Sequence, residues 1–205
     1  MSMEHPDPVT AELQTLVSNF AAIDRNHRTP ETGRHENDAE HTYSVAMLAW
    51  YFYEQSEATN LDLGRIHRYA LVHDLLEAIS EAGDVNSFAS PDERAAKEVA
   101  EDAALVEFAE QFQQFPGMVE AAQRYHAQVD EEAVFVWTVD KLQALIHDDR
   151  ADWIAHESYG VGYERFLEKY EGYRDRISPY LESIYESWLE YSKTVFWDQP
   201  DTTQA

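Results

Sequence analysis

The chain has 205 residues, of which 40 are Asp or Glu, 15 are Lys or Arg and none is Cys, giving a formal net charge of -25. That length suits one sizeable core, and the missing cysteines exclude disulfides, thiolate metal sites and cysteine nucleophiles. The negative field argues against a nucleic-acid polymer as partner, although a metal ion or a few arginines can reverse the potential inside one pocket and so admit a small nucleotide.

Met1 to Pro8 carries neither a basic nor an apolar leader, and the longest apolar run, Val45 to Tyr53, falls far short of a bilayer span. A cytoplasmic protein with no membrane partner is expected. From Thr10 to about Ile23 the positions Leu13, Leu16, Val17 and Phe20 recur at helical spacing and predict an amphipathic helix. Asp24 to Glu36 is polar, contains Pro30 and Gly33, and reads as a loop. Asn37 then offers a cap with Glu40 three residues on, opening a helix whose buried stripe is Val45, Leu48, Ala49 and Phe52.

A third helix is expected from Asp62 to about Ser80, with Ile66, Ala70, His73 and Glu77 on one face. The polar stretch Glu81 to Ala89, with Gly83, interrupts it. Ser90, Pro91 and Glu93 form a start signal for a fourth helix running through Val99, Ala103 and Val106 toward Phe112. Pro116 and Gly117 precede a short helix to His126. Glu131 to His147 follows, with Val136, Asp140, Ala144 and His147 on a shared side and Trp137 and Leu145 available for packing. Gly162 to Ile177 reads as helix through Phe166, Leu167, Tyr170 and Tyr173, and Ser178 with Pro179 starts the last one, through Ile184 and Trp188. That aromatic tail covers the core or forms a partner surface. No β-hairpin signal is visible, so the expected fold class is all-α, a single-domain helical bundle.

Chemistry concentrates at a few positions. His73 and Asp74 are adjacent, Glu77 lies one turn beyond, His41 sits in the first turn of an earlier helix and Asp140 in a later one. His41, His73, Asp74 and Asp140 would give a divalent cation two imidazoles and two carboxylates, with positions left for water and substrate. Glu77 reaches the same place without needing to ligate.

The segment from Gly33 to His41, followed by Val45, Ala46 and Leu48, resembles the opening of the HD-domain phosphohydrolases, most closely the branch of bacterial 5'-deoxyribonucleotidases and related small HD hydrolases. Ala70 to Glu77 resembles that family's His-Asp core, Ala82 to Asp84 its Gly-Asp step, and Glu132 to Phe135 with Asp140 to Leu142 its closing segment. The resemblance implies an HD-type bundle with an N-terminal helix over residues 1-23, an HD phosphohydrolase core over 24-148, and C-terminal helices over 149-205 that complete the domain or form a dimer interface. It implies that His41, His73, Asp74 and Asp140 hold one divalent ion, whether Mn, Co, Zn, Ni, Fe or Mg. Glu77 would handle protons for an attacking water, Asp84 would lie near the sugar or leaving group, and Arg34 or Arg28 would offset substrate charge.

The chain departs from the family at the Arg-Trp pair that some members place ahead of the first metal histidine; Asn26, His27 and Arg28 occupy that region. The gap from His73 to Asp84 is slightly long, and Val134 stands where lysine is common. His126 and His147 are extra histidines that read as packing or surface residues, with a second metal as the other reading. The expected activity is hydrolysis of a small nucleotide, first a 5'-deoxyribonucleoside monophosphate, by a homodimer. A deoxynucleoside triphosphate hydrolase and an inactive HD-like binding protein are the alternatives.

Overall fold

The computed structural model describes residues 7–79, 91–150 and 161–197. Among them the expected bundle forms, with one small addition. Helix α1 is Pro8–Phe20, capped by the Asp7 side chain on the Val9 amide, and it buries Leu16 and Phe20. Val17, expected in that stripe, is exposed. The stretch read as a loop instead makes two short antiparallel strands, β1 (Asp24–Arg28) and β2 (His35–Asn37), with Asp24 opposite Asn37 and Arg28 opposite His35. Gly33 closes the turn at φ 68, a left-handed conformation that glycine adopts without strain, and donates to the Thr29 carbonyl. The strands carry polar residues almost throughout, which is why no alternating apolar pattern announced them.

Helix α2 (Asp38–Gln55) begins with the expected reciprocal cap: Asn37 Oδ1 accepts from the Glu40 amide at 3.0 Å, and Glu40 accepts from the Asn37 amide at 3.2 Å. His41, Val45, Ala49 and Phe52 are buried along it, while Leu48 is only partly so. Helix α3 (Leu63–Val72) stops well before Ser80 and gives way to a 3-10 turn over Leu75–Ala78. The break sits at Asp74, whose φ -110 and ψ 3 lie in the sparsely populated bridge region.

Helix α4 (Pro91–Gln111) starts where the Ser90 signal places it, although Ser90 itself and the Glu81 to Ala89 interruption lie outside the described residues. Its buried row is Ala104 and Phe108, continued by Phe112, while Val99 and Val106 face solvent. The buried face is the row spaced by four that carries the two phenylalanines, which buries more apolar surface than the valines would. Helix α5 is Pro116–His126 and α6 is Glu131–Arg150. Helix α7 (Tyr163–Glu171) ends earlier than the expected Ile177, and a second 3-10 turn covers Arg174–Arg176. Helix α8 (Glu182–Trp197) begins after a turn in which the Leu181 amide donates to the Ser178 carbonyl, so Ser178 and Pro179 precede the helix rather than cap it.

Helix α6 forms the axis of the bundle. Val136, Val139, Leu142 and Leu145 are fully buried along it, against α2, α3 and α8. The aromatic tail belongs to this core: Phe166, Tyr170 and Tyr185 are fully buried, and the Tyr185 hydroxyl donates to the Tyr170 carbonyl at 2.6 Å. Among the described residues no helix is long and apolar enough to cross a membrane. Since α2 delivers His41 from its first turn, the Asn37 cap fixes that residue's height. Asn37→Ala should cost about 1 kcal/mol of stability, read as a lower urea midpoint with unchanged slope.

Candidate metal centre

Three separate segments converge at the centre of the bundle. His41 comes from the start of α2, His73 and Asp74 from the end of α3, and Asp140 from the middle of α6. His41, His73 and Asp140 are buried, and each offers a ligand atom within 4.8 Å of the others. His41 Nε2 lies 3.1 Å from Asp140 Oδ1 and 3.5 Å from Asp74 Oδ2, and His73 Nε2 lies 3.2 Å from Asp74 Oδ2. The four residues expected to hold a metal are thus together.

Tautomers decide what this cluster asks for. His73 Nδ1 donates to the Ala70 carbonyl at 2.9 Å, and His41 Nδ1 donates to Gln143 Oε1 at 3.0 Å. Both Nδ1 atoms are committed on the far side of the rings, so both Nε2 atoms face the carboxylates, and neither Nε2 makes a hydrogen bond. Ring nitrogens and carboxylate oxygens gathered this closely without a hydrogen bond between them form a ligand set that a cation would satisfy. The donor set therefore fits a divalent ion.

The surrounding charges support the ionised ligand forms. Burial opposes charge on Asp74, but His73 and Arg25 outweigh it and hold its pKa well below the ordinary carboxylate range. Asp140 is likewise held well below that range, burial being overcome chiefly by Lys141, whose Nζ lies 2.5 Å from Oδ2. Burial, aided by Arg25, pushes His41 down to about 4, which keeps it neutral as a ligand must be. His73 goes the other way: burial lowers it, yet Asp74 and Asp140 raise it further.

Glu77 is buried on the 3-10 turn, and Lys97 from α4 donates to its Oε1 at 2.6 Å. It lines a cavity of about 470 Å³ together with His73, Asp74, Asp140, Tyr125 and Trp137. Asp84 lies outside the described residues. Arg34 and Arg28 are not brought to the cavity: Arg34 is exposed and paired with Glu40, and Arg28 donates to the Gly33 carbonyl at 2.7 Å within the hairpin turn. The extra histidines hold carboxylates and carbonyls. His126 is 2.8 Å from Asp102, and His147 Nε2 donates to the Arg28 carbonyl at 2.8 Å while its Nδ1 lies 3.5 Å from Glu36.

Two residues of the site escaped the sequence reading. Arg25 donates to Asp74 Oδ2 at 2.9 Å and to Asp38 Oδ1 at 3.1 Å, tying β1 to the metal ligands and to the start of α2. Its only signal is strand alternation, which sets Arg25 and His27 on one side and Asn26 and Arg28 on the other. Gln143 orients His41 and is itself held by a 3.3 Å donation to the buried Glu36. It lies three residues after Asp140 on the same face of α6, a spacing that marks it as a neighbour of the ligand.

These features define a helical protein with a buried centre of imidazoles and carboxylates drawn from three segments. The family model for the HD domain matches residues 21–181, which is most of the chain, and the chain belongs to the HD-domain family. Among solved structures it is similar to a predicted metal-dependent phosphohydrolase from Magnetospirillum magnetotacticum MS-1, at 23% identity over 91% of this chain and 96% of that one, with a TM-score of 0.72. A conserved hypothetical protein from Pyrococcus furiosus is similar at 23% identity over 88% of this chain and 99% of that one, with a TM-score of 0.60. The PH0347 protein of Pyrococcus horikoshii OT3 is similar at 22% identity, over 90% and 99% respectively, with a TM-score of 0.60. At these identities the likeness is one of fold. No protein of curated function matches the chain.

Gln143→Leu removes the acceptor that fixes the His41 tautomer and should weaken divalent-ion affinity by roughly 10–100-fold, measured by competition with a chromophoric chelator. In the metal-free protein, His41 titrates near 4 against an ordinary 6.5. Between those values the unfolded chain binds a proton that the folded chain refuses. Stability from this group is therefore full above about 6.5 and falls as pH drops toward 4, by up to about 3 kcal/mol. Urea unfolding of chelated protein at several pH values should show that slope, flattened in His41→Asn.

Proposed function

We propose that the protein is a divalent-metal-dependent phosphohydrolase that removes phosphate from small nucleotides, with 5'-deoxyribonucleoside monophosphates as the first substrates. The observation that carries this reading is the pair of buried Nε2 atoms, on His41 and His73, turned toward the Asp74 and Asp140 carboxylates at 3.1 to 3.2 Å. A divalent ion held there supplies Lewis-acid polarisation of a phosphoryl oxygen and acidifies water at neutral pH.

The chain's own groups account for the rest. Glu77 opens onto the same cavity as His73 and Asp74, and its bond to Lys97 keeps one oxygen occupied and the carboxylate in place. From that position it takes the proton of an attacking water. Phosphoryl transfer demands alignment and charge neutralisation more than a protein nucleophile, so the absence of cysteine is no obstacle. Arg25 holds Asp74 in its ligating direction. The cavity of about 470 Å³ is of a size that takes a small nucleotide and not a polymer.

Metal-stripped protein resupplied with Mn, Co, Zn, Ni, Fe or Mg, one at a time, should release orthophosphate and nucleoside from deoxynucleoside monophosphates, with products identified chromatographically. Cleavage of triphosphates alone would replace the monophosphate assignment, and no turnover with any ion would overturn the hydrolase. Glu77→Gln should lower kcat by roughly 10²–10⁴ while metal affinity stays within a few-fold of the parent.

A further inference from the structure

Three cationic side chains line the cavity, Lys97, Lys141 and Arg176. Two are already answered by acids: Lys97 sits 2.6 Å from Glu77 and 3.5 Å from Glu101, and Lys141 sits 2.5 Å from Asp140. Arg176 has no carboxylate partner among the described residues, in a chain where acids outnumber bases 40 to 15. Its neighbour Arg174 shows the ordinary outcome, an ion pair with Glu186 at 2.7 Å.

Arg176 is nonetheless held in place. Its guanidinium carbon lies 4.2 Å from the centre of the Trp137 ring, and Lys141 Nζ approaches the same ring at 5.4 Å. Tyr173 packs edge-on against Trp137 at 5.3 Å, and the Arg176 amide donates to the Tyr173 carbonyl at 2.9 Å. The buried Ser178 amide donates to Thr138 Oγ1 at 2.9 Å, fastening the whole turn to α6. Trp137 and Asp140 are three residues apart on that helix, so the platform for Arg176 and a metal ligand share one rigid face. Resting on an aromatic ring occupies the face of a guanidinium and leaves its N–H edges available for a planar, bidentate grip on an oxyanion.

We propose that Arg176 binds phosphate oxygens of the substrate at the cavity wall formed with Trp137 and Lys141, and so acts as a specificity-determining residue of this site. The inference rests on the phosphohydrolase reading above. It also explains how an anion approaches a cavity that Glu98, Glu101 and Asp102 line as well: Arg176, Lys141 and the candidate metal centre together give it one favourable path.

The test uses metal-loaded full-length protein and two probes, inorganic phosphate and tripolyphosphate, with binding measured by calorimetry alongside nucleotide kinetics. Arg176→Ala should weaken binding of at least one probe tenfold or more and raise KM for nucleotide by a similar factor, while kcat and metal affinity change by less than threefold. Arg176→Lys should recover only part of the loss, because the fork is gone although the charge remains. A loss confined to tripolyphosphate assigns Arg176 to a phosphate beyond the one at the metal, and a loss for both assigns it to the phosphoryl group itself. If Arg176→Ala binds both probes as the parent does, Arg176 merely packs on Trp137 and the inference is overturned, while turnover by the parent leaves the phosphohydrolase reading intact. A parent protein that turns over no nucleotide and binds neither probe overturns both together.

Discussion

Two imidazole nitrogens turned toward two carboxylates, with no hydrogen bond between them, form the constraint around which this molecule is arranged. Such a cluster is electrostatically unfavourable by itself, and a protein keeps it only if the surrounding structure over-determines each side chain. Three backbone segments do so here. The capped first turn of α2 presents His41, the broken end of α3 presents His73 and Asp74, and the fully buried middle of α6 presents Asp140. The apolar core behind them, from Val45 and Ala70 to Val136 and Leu142, leaves those backbones no freedom to relax apart.

A second layer of buried polar groups surrounds the centre. Glu36, Asp38, Gln143 and Asp148 are all buried, and each is bonded into a network with Arg25, His27, His41 or His147. Burial holds Glu36 above the ordinary carboxylate value, against the pull of His147 and Arg25. The small hairpin earns its place in this layer, because β1 supplies Arg25 and His27 and β2 supplies Glu36 and the Asn37 cap. The two short strands thus connect the start of α2, which β2 enters directly, to the end of α6, which β1 meets through His27 with Asp148 and the Arg28 carbonyl with His147.

The residues of the central cluster were legible in the sequence because their types are scarce and their surroundings are patterned: a capped helix start before His41, a His-Asp step one turn ahead of Glu77, and an aspartate inside an apolar helix. The supporting residues were less so. Nothing in a polar run separates Arg25 from Arg28 until the strand register is known, and the structure brings the first of these to the ligands and leaves Arg28 and Arg34 in the hairpin turn and at the surface. Gln143 reads as an ordinary helix residue unless its spacing from Asp140 is noticed. The buried face of α4 is set by Ala104, Phe108 and Phe112, and the valines named along that helix, Val99 and Val106, face solvent. Helix ends were the other weak point: α3 stops at His73 with no Gly or Pro to announce it, and α7 stops at Gly172, where the aromatic pattern had carried the helix on to Ile177.

The interruption of α3 has a further meaning for how this fold stays folded. In a continuous helix, adjacent residues point about 100° apart, and His73 and Asp74 could not both face His41. The turn at Asp74 lets one short peptide reach the same point as residues from α2 and α6, which lie far away along the chain. Coordination of an ion at that point would therefore close two long loops at once. In a chain without a single cysteine, it is the counterpart of a pair of cross-links, restricting the unfolded ensemble in the way a disulfide does. The chemistry of the centre and the resistance of the bundle to opening then depend on the same few atoms.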